Sequence, residues 1–120
     1  MNDGDLQAYS DAWNAHDIER IMAYHTVDCI FQTGGGREKY GTRYSGFAEV
    51  RKRFIEVWTD FPDVQFQNES HFVTGDRGCS EWTFVGTKLD GVKLELNGCD
   101  LFTFRDGKIF VKNSLLKNRV

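Results

Sequence analysis

Apolar residues recur every three or four positions through the first half of this chain and every second position through most of the rest. Leu6, Tyr9, Trp13 and His16 share one face of a helix over residues 5–16, and large aromatic rings dominate that stripe. Asp17 stands where an N-cap is wanted, and a short second helix follows with Ile18, Ile21 and Met22 inward. Cys29 to Thr33 reads as a strand. Gly34-Gly35-Gly36 breaks it, and a second extended piece lies near Tyr40 to Tyr44. Ser45 can cap a third helix with Phe47, Val50, Phe54, Val57, Trp58 and Phe61 inward, and Pro62, the only proline, stops it.

From Asp63 to Lys117 the period is two, with turn signals at Gly75 to Gly78, Asp90-Gly91 and Asp106-Gly107, so four long strands form a meander. The fold class expected is α+β: three N-terminal helices packed in the concave face of a strongly curved, mainly antiparallel sheet, a cone-shaped α+β barrel. Residues 1–120 are read as a single domain, a length that encloses a core without staples.

Ten Phe, four Tyr and three Trp are more aromatic surface than so short a chain needs merely to fold, so an enclosed apolar pocket or a sticky interface is expected. A net charge of -3 argues against a nucleic-acid partner, because phosphate binding needs a clustered positive surface, and Arg51, Lys52 and Arg53 would point in different directions on a helix. The acidic start lacks a leader pattern and no stretch approaches the roughly 18 apolar residues of a membrane span, so a cytoplasmic protein without membrane contact is expected. Cys29, Cys79 and Cys99 are far apart and read as buried thiols. His16, His25 and His71 lack metal-ligand spacing and read as surface or capping residues, so neither a metal nor a cofactor is expected. The glycine run lacks the spacing of a phosphate loop and reads as a flexible turn.

The third meander strand holds the sharpest chemical feature. Val92, Leu94, Leu96, Gly98, Asp100, Phe102 and Phe104 alternate onto one face, so Asp100 is a lone carboxylate on an apolar wall, costly unless paired, hydrogen-bonded or kept protonated. A two-residue turn at Asp90-Gly91 pairs Leu89 with Val92 and brings Glu81 opposite Asp100. A like turn at Asp106-Gly107 brings Asn113 opposite Asp100, giving a polar row of Glu81, Asp100 and Asn113 suited to general acid chemistry. A three-residue turn of Leu89, Asp90 and Gly91 would instead face Trp82 and Phe84 inward, set Ser80 beside Asp100 and turn Glu81 outward. The alternation admits both.

Asp11-Ala-Trp-Asn-Ala-His-Asp17, Ser80-Glu-Trp-Thr-Phe-Val-Gly-Thr87 and Gly98-Cys-Asp-Leu-Phe-Thr-Phe-Arg-Asp-Gly-Lys-Ile109 resemble the nuclear-transport-factor-2-like superfamily, and within it the SnoaL-like polyketide cyclases and ketosteroid isomerases. In ketosteroid isomerase a Tyr and a protonated Asp stabilise a dienolate while a second Asp moves the proton. The resemblance places Tyr9 and Asp100 at the oxyanion-binding positions, the latter near where the cyclases carry an acid/base aspartate. It places the base position at or near Thr33, where the chain has no carboxylate. After Gly86-Thr87, where the cyclases tend to have His, this chain has Lys88.

The candidate catalytic set is therefore Asp100, Tyr9 and Glu81, with Trp13, Thr33, Val85, Phe102 and Asn113 as ligand-binding residues. The resemblance implies a domain that binds a small apolar molecule and performs cofactor-free proton transfer on a carbonyl compound, as an isomerase, cyclase or lyase. The competing class is a non-catalytic binding or scaffold protein in which Asp100 only bonds Asn113. A homodimer is expected through the convex sheet face, carried by outward Trp82, Phe84, Leu101 and Phe110.

Overall fold

The structure, a computed structural model, describes residues 1–120. Helices α1 (Asp3–Asn14) and α2 (Ile18–Met22) precede strands β1 (His25–Gln32) and β2 (Arg43–Ser45), and α3 (Phe47–Asp60) leads into β3 (Gln65–Thr74), β4 (Arg77–Thr87), β5 (Lys93–Arg105) and β6 (Lys108–Leu116). No helix is long and apolar enough to cross a membrane.

Local chemistry explains the element ends. α1 starts at Asp3, two residues before the predicted start at residue 5, because Asn2 and Asp5 form a reciprocal cap, each side chain accepting from the other's backbone N–H at 2.9 Å. Asp17 caps α2 as its position suggested, accepting from the Arg20 amide. Ser45 does not cap α3. Gly46 takes that place with φ +92°, and the Ser45 amide donates to Glu49 instead.

The strand order is β2-β1-β6-β5-β4-β3, and the sheet curls around the helices without closing. The predicted meander of β3 to β6 is antiparallel throughout, whereas β1 runs parallel to β6. That pairing extends β1 back to His25, four residues before the predicted start, and His25 is buried rather than at the surface. Register shifts in β3–β4, β5–β6 and β1–β6 mark the bulges that add local bend and twist to the sheet.

Two registers decide which side chains face the helices. Between β4 and β5 the Lys88 amide donates to Val92 O and the Gly91 amide to Lys88 O, so Leu89, Asp90 and Gly91 form a three-residue turn with Gly91 at φ +90°. Ser80 therefore faces Asp100 and Glu81 faces Cys99. Trp82 and Phe84 turn inward, which removes them from the convex face, while Glu81 and Val85 turn outward. Between β5 and β6, Asp106 and Gly107 make the expected two-residue turn, both at positive φ. The ladder then slips: Phe104 pairs with Ile109 but Thr103 with Val111, leaving Phe110 as an extra residue. Beyond this bulge every side chain of β6 changes face. Asn113 lies opposite Leu101 on the outer face, and Lys112 and Ser114 point inward.

The core forms where α1 and α3 meet the inner face of the sheet, around Leu6, Trp13, Ile21, Cys29, Phe54, Phe102 and Ile109. Trp13 is its hub, with ring centroids of Phe54, Trp58 and Phe66 at 4.8, 5.5 and 5.9 Å. Full burial of rings such as Phe54 and Phe102 contributes about 2 kcal/mol each. α3 buries Val50 and Phe54 completely, but its first residue, Phe47, is exposed.

Candidate functional site

The bulge at Phe110 places a lysine inside the fold. Lys112 and Asp100 are each only 5% exposed, and Nζ lies 3.6 Å from Asp100 Oδ2 and 3.5 Å from the Tyr9 hydroxyl oxygen. Rings surround the ammonium, with centroids of Trp13, Tyr9, Phe54 and Phe31 at 4.5, 5.1, 5.2 and 5.9 Å. Burial pushes the amine's pKa below its ordinary value, and the Asp100 charge only partly opposes this.

Asp100 resolves its apolar setting by pairing and hydrogen bonding. Trp82 Nε1 donates to Oδ2 at 3.0 Å, the Ser114 hydroxyl donates to Oδ1, and Lys112 supplies the countercharge. Trp82 reaches Asp100 because Gly98, its partner on β5, has no side chain: a Cβ there would stand 2.8 Å from the indole ring and 2.4 Å from Leu115 O.

Behind the pair, Tyr9 and His25 Nε2 share a hydrogen bond at 2.8 Å. Burial raises the Tyr9 pKa well above its usual value, with the Asp100 charge adding to the effect, so the phenol stays protonated. His25 is pushed down to about 3 by burial and by the Lys112 charge, and its Nδ1 is buried without a partner. A void of about 10 Å³, scarcely a water molecule's worth, lies among Tyr9, Ser10, Ser80, Asp100, Phe102 and Lys112. Ser80 is held in turn by His71 Nδ1 at 2.8 Å.

In front of the pair opens a cavity of about 220 Å³. Trp13, Phe31, Phe61, Phe66, Trp82, Phe84, Leu94 and Leu96 make apolar walls, and Lys112, Asp100 and Ser114 make a polar inner end. Arg53 and the exposed Asp60 also line it, setting charge at its rim. The design is one of apolar walls with a few convergent polar groups, as in most small-molecule sites.

The structure thus brings Asp100, Trp13 and Thr33 to the cavity, with the Thr33 hydroxyl donating to Gly35 O at 2.6 Å. Tyr9 and Phe102 sit behind it at the small void. Glu81, Val85 and Asn113 lie on the other face of the sheet, so the row through Asp100 is Ser80, Asp100 and Ser114. Lys112, Ser114 and inward Trp82 complete the site. Regular alternation counted forward from Asp106-Gly107 turns Lys112 outward, and nothing in the residues around Phe110 signals the extra residue that reverses it. No group of three or more His, Cys, Asp or Glu side chains is arranged to hold a metal ion.

Comparison with known proteins bears on the fold. A provisionally named polyketide cyclase from Xanthomonas campestris pv. campestris superposes with a TM-score of 0.83 at 21% identity, covering 96% of this chain and 88% of the other. A second, from Pseudomonas putida KT2440, gives 0.81 at 20% identity over 96% and 89%. TerC, co-crystallised with polyporic acid, gives 0.80 at 24% identity over 93% and 88%. No curated protein matches the chain. Residues 6–111 match the family described as SnoaL-like domain, a span that runs from α1 through β5 into the start of β6 and so includes Asp100 but stops one residue short of Lys112; the chain belongs to that family.

Proposed function

We propose that this chain binds a small, largely apolar molecule bearing a carbonyl or phenolic oxygen, with that oxygen turned toward Lys112. On a carbonyl compound it moves a proton without a cofactor, as an isomerase, cyclase or lyase does. One observation carries the reading: apolar walls that end on a buried ammonium–carboxylate pair, a setting in which charge interactions are strong and water is scarce. That a structural neighbour, TerC, was co-crystallised with polyporic acid supports a small-molecule ligand for this fold.

In the productive pose the Asp100 carboxylate takes the proton from the carbon next to the carbonyl. The C–H electron pair becomes the new C=C bond, the C=O π pair moves onto the carbonyl oxygen, and the Lys112 ammonium holds the enolate oxygen that results. Return of the proton to a different carbon completes an isomerisation; attack of the enolate carbon on a second carbonyl moves that C=O π pair onto its oxygen, and return of the Asp100 proton to this alkoxide completes a cyclisation. Tyr9 braces Lys112 from behind, and Trp82 and Ser114 aim the carboxylate.

Tryptophan fluorescence tests the binding step, since Trp13 and Trp82 line the cavity. Saturable quenching by 2-naphthol is expected, weakened about tenfold or more in Lys112→Met by loss of a charge-assisted hydrogen bond, while naphthalene binds both proteins alike. Absence of saturable binding refutes the reading. Deuterium exchange into 2-tetralone then tests proton transfer, with acceleration by the wild type and none by Asp100→Asn.

A non-catalytic binding or dimeric scaffold role is the second reading. Both Asp100 oxygens already accept hydrogen bonds, which leaves the carboxylate less free to take a proton. Half-exposed Ile30, Leu101 and Val111, with exposed Phe72 and Leu115, form an outer surface that a second copy would cover. Binding of 2-naphthol without exchange into 2-tetralone favours it.

A further inference from the structure

Lys112 has a capacity that proton transfer does not use. It is the one lysine in the chain that is buried, every other being exposed. Its nearest acceptors, at 3.5 and 3.6 Å, are long for hydrogen bonds, so none of its donors is tightly committed. It also lies at the inner end of a cavity whose walls admit apolar groups. We propose that Lys112 is a covalent carbonyl-binding residue, forming an imine with an aldehyde or ketone that enters the cavity, an inference that rests on the ligand reading above.

The surroundings suit each step. The Lys112 ammonium passes a proton to Asp100, whose carboxylate is 3.6 Å away, and the freed amine attacks the carbonyl carbon. A C–N bond forms, the C=O π pair moves to oxygen, and a proton moves from nitrogen to that oxygen, giving a carbinolamine. Asp100 then returns its proton to the hydroxyl, water departs with the C–O electron pair, and the nitrogen lone pair makes the iminium. The net change is ammonium plus carbonyl to iminium plus water, with one positive charge on nitrogen before and after. The ring cage and the Asp100 carboxylate stabilise a cation at that nitrogen, so they hold the iminium as they hold the ammonium. Burial, which lowers the amine's pKa, raises the share of the neutral nucleophile at neutral pH relative to an exposed lysine. Carbonyl compounds are thereby distinguished from alcohols of the same shape, which fit the walls but cannot bond covalently.

Reductive trapping tests this on the intact wild-type protein. Benzaldehyde with sodium cyanoborohydride, followed by peptide mapping, should give about tenfold or more benzyl adduct at Lys112 over any exposed lysine, as expected for a desolvated amine beside a proton acceptor. The adduct at Lys112 should be lost in Lys112→Arg, which keeps the charge but cannot form the imine under these conditions. Benzyl alcohol, followed by tryptophan quenching, reports non-covalent binding in the same experiment. Alcohol binding with adduct only on exposed lysines overturns the imine proposal and leaves the ligand reading standing. Binding of neither probe overturns both. Because the wild-type map is decisive, the outcome does not depend on the variant folding.

Discussion

Asp100→Asn is the sharpest probe of the buried pair. The amide keeps the carboxyl's shape and an acceptor for Trp82, but it strips Lys112 of its only nearby countercharge. Removing one partner of a buried pair costs about 3–5 kcal/mol in a dry interior. The 3.6 Å separation, long for a contact ion pair, places this case near the lower end, about 3 kcal/mol. For a chain of 120 residues, 1 kcal/mol moves the melting temperature by about 4 °C, so a drop of about 12 °C at pH 7 is expected. The double variant Asp100→Asn with Lys112→Met removes both charges and should lie within about 1 kcal/mol of the wild type, because an apolar replacement of a whole buried pair is close to neutral. The deficit also depends on pH. With its folded pKa held below the unfolded value near 10.4, Lys112 binds fewer protons folded than unfolded, so stability rises with pH between those two values. Loss of Asp100 lowers the folded pKa further, so the single variant should gain on the wild type as pH rises between the two folded values. Urea denaturation of the three proteins at pH 7, 8.5 and 10 measures all of this. A single variant as stable as the wild type at pH 7 would refute the reasoning, since Asp100 would then not be the charged partner of Lys112.

His25 sets an acid limit of a different origin. Its folded pKa of about 3 lies below the unfolded 6.5, so the unfolded chain binds the extra proton and stability falls as pH drops through that window, by up to about 1.4 kcal/mol per unit. His25→Phe should cost about 1–3 kcal/mol at pH 7 by orphaning Tyr9, yet lose less on acidification from pH 6 to 4, and equal acid slopes in urea melts would exclude the assignment. Gly98→Ala should destabilise by about 1–3 kcal/mol and red-shift Trp82 emission, because the new methyl drives the indole from its place over Gly98; an unshifted spectrum with full stability would contradict the register.

Much of the fold was legible residue by residue. The stripes of α1 and α3, the Asp17 cap, the stop at Pro62 and the turns at Asp90-Gly91 and Asp106-Gly107 are local signals, each set by side chains within a few positions of one another. They carry the element order and the α+β class, and alternation alone put Asp100 on the inner wall. Trp13 and Thr33 at the cavity were legible through the family likeness and the apolar stripe. The partners of Asp100 were not.

The reason lies in the two-residue period of a strand. On β4, Trp82 and Phe84 or Thr83 and Val85 make an inward set with apolar members, so alternation states that one face is buried without saying which. The choice falls to contacts between distant segments: the Trp82 ring fits over Gly98 and against Phe66 only in the three-residue turn register. The bulge at Phe110 is likewise invisible to a count made along one strand, because it exists only as a mismatch between β5 and β6. Its consequence is the chemistry of the site. One extra residue turns Lys112 inward and Asn113 outward, so what stands beside Asp100 is an ammonium rather than an amide. The order and amphipathic faces of the elements were written in the chain; the charge that faces the cavity came from how two strands were fitted together in space.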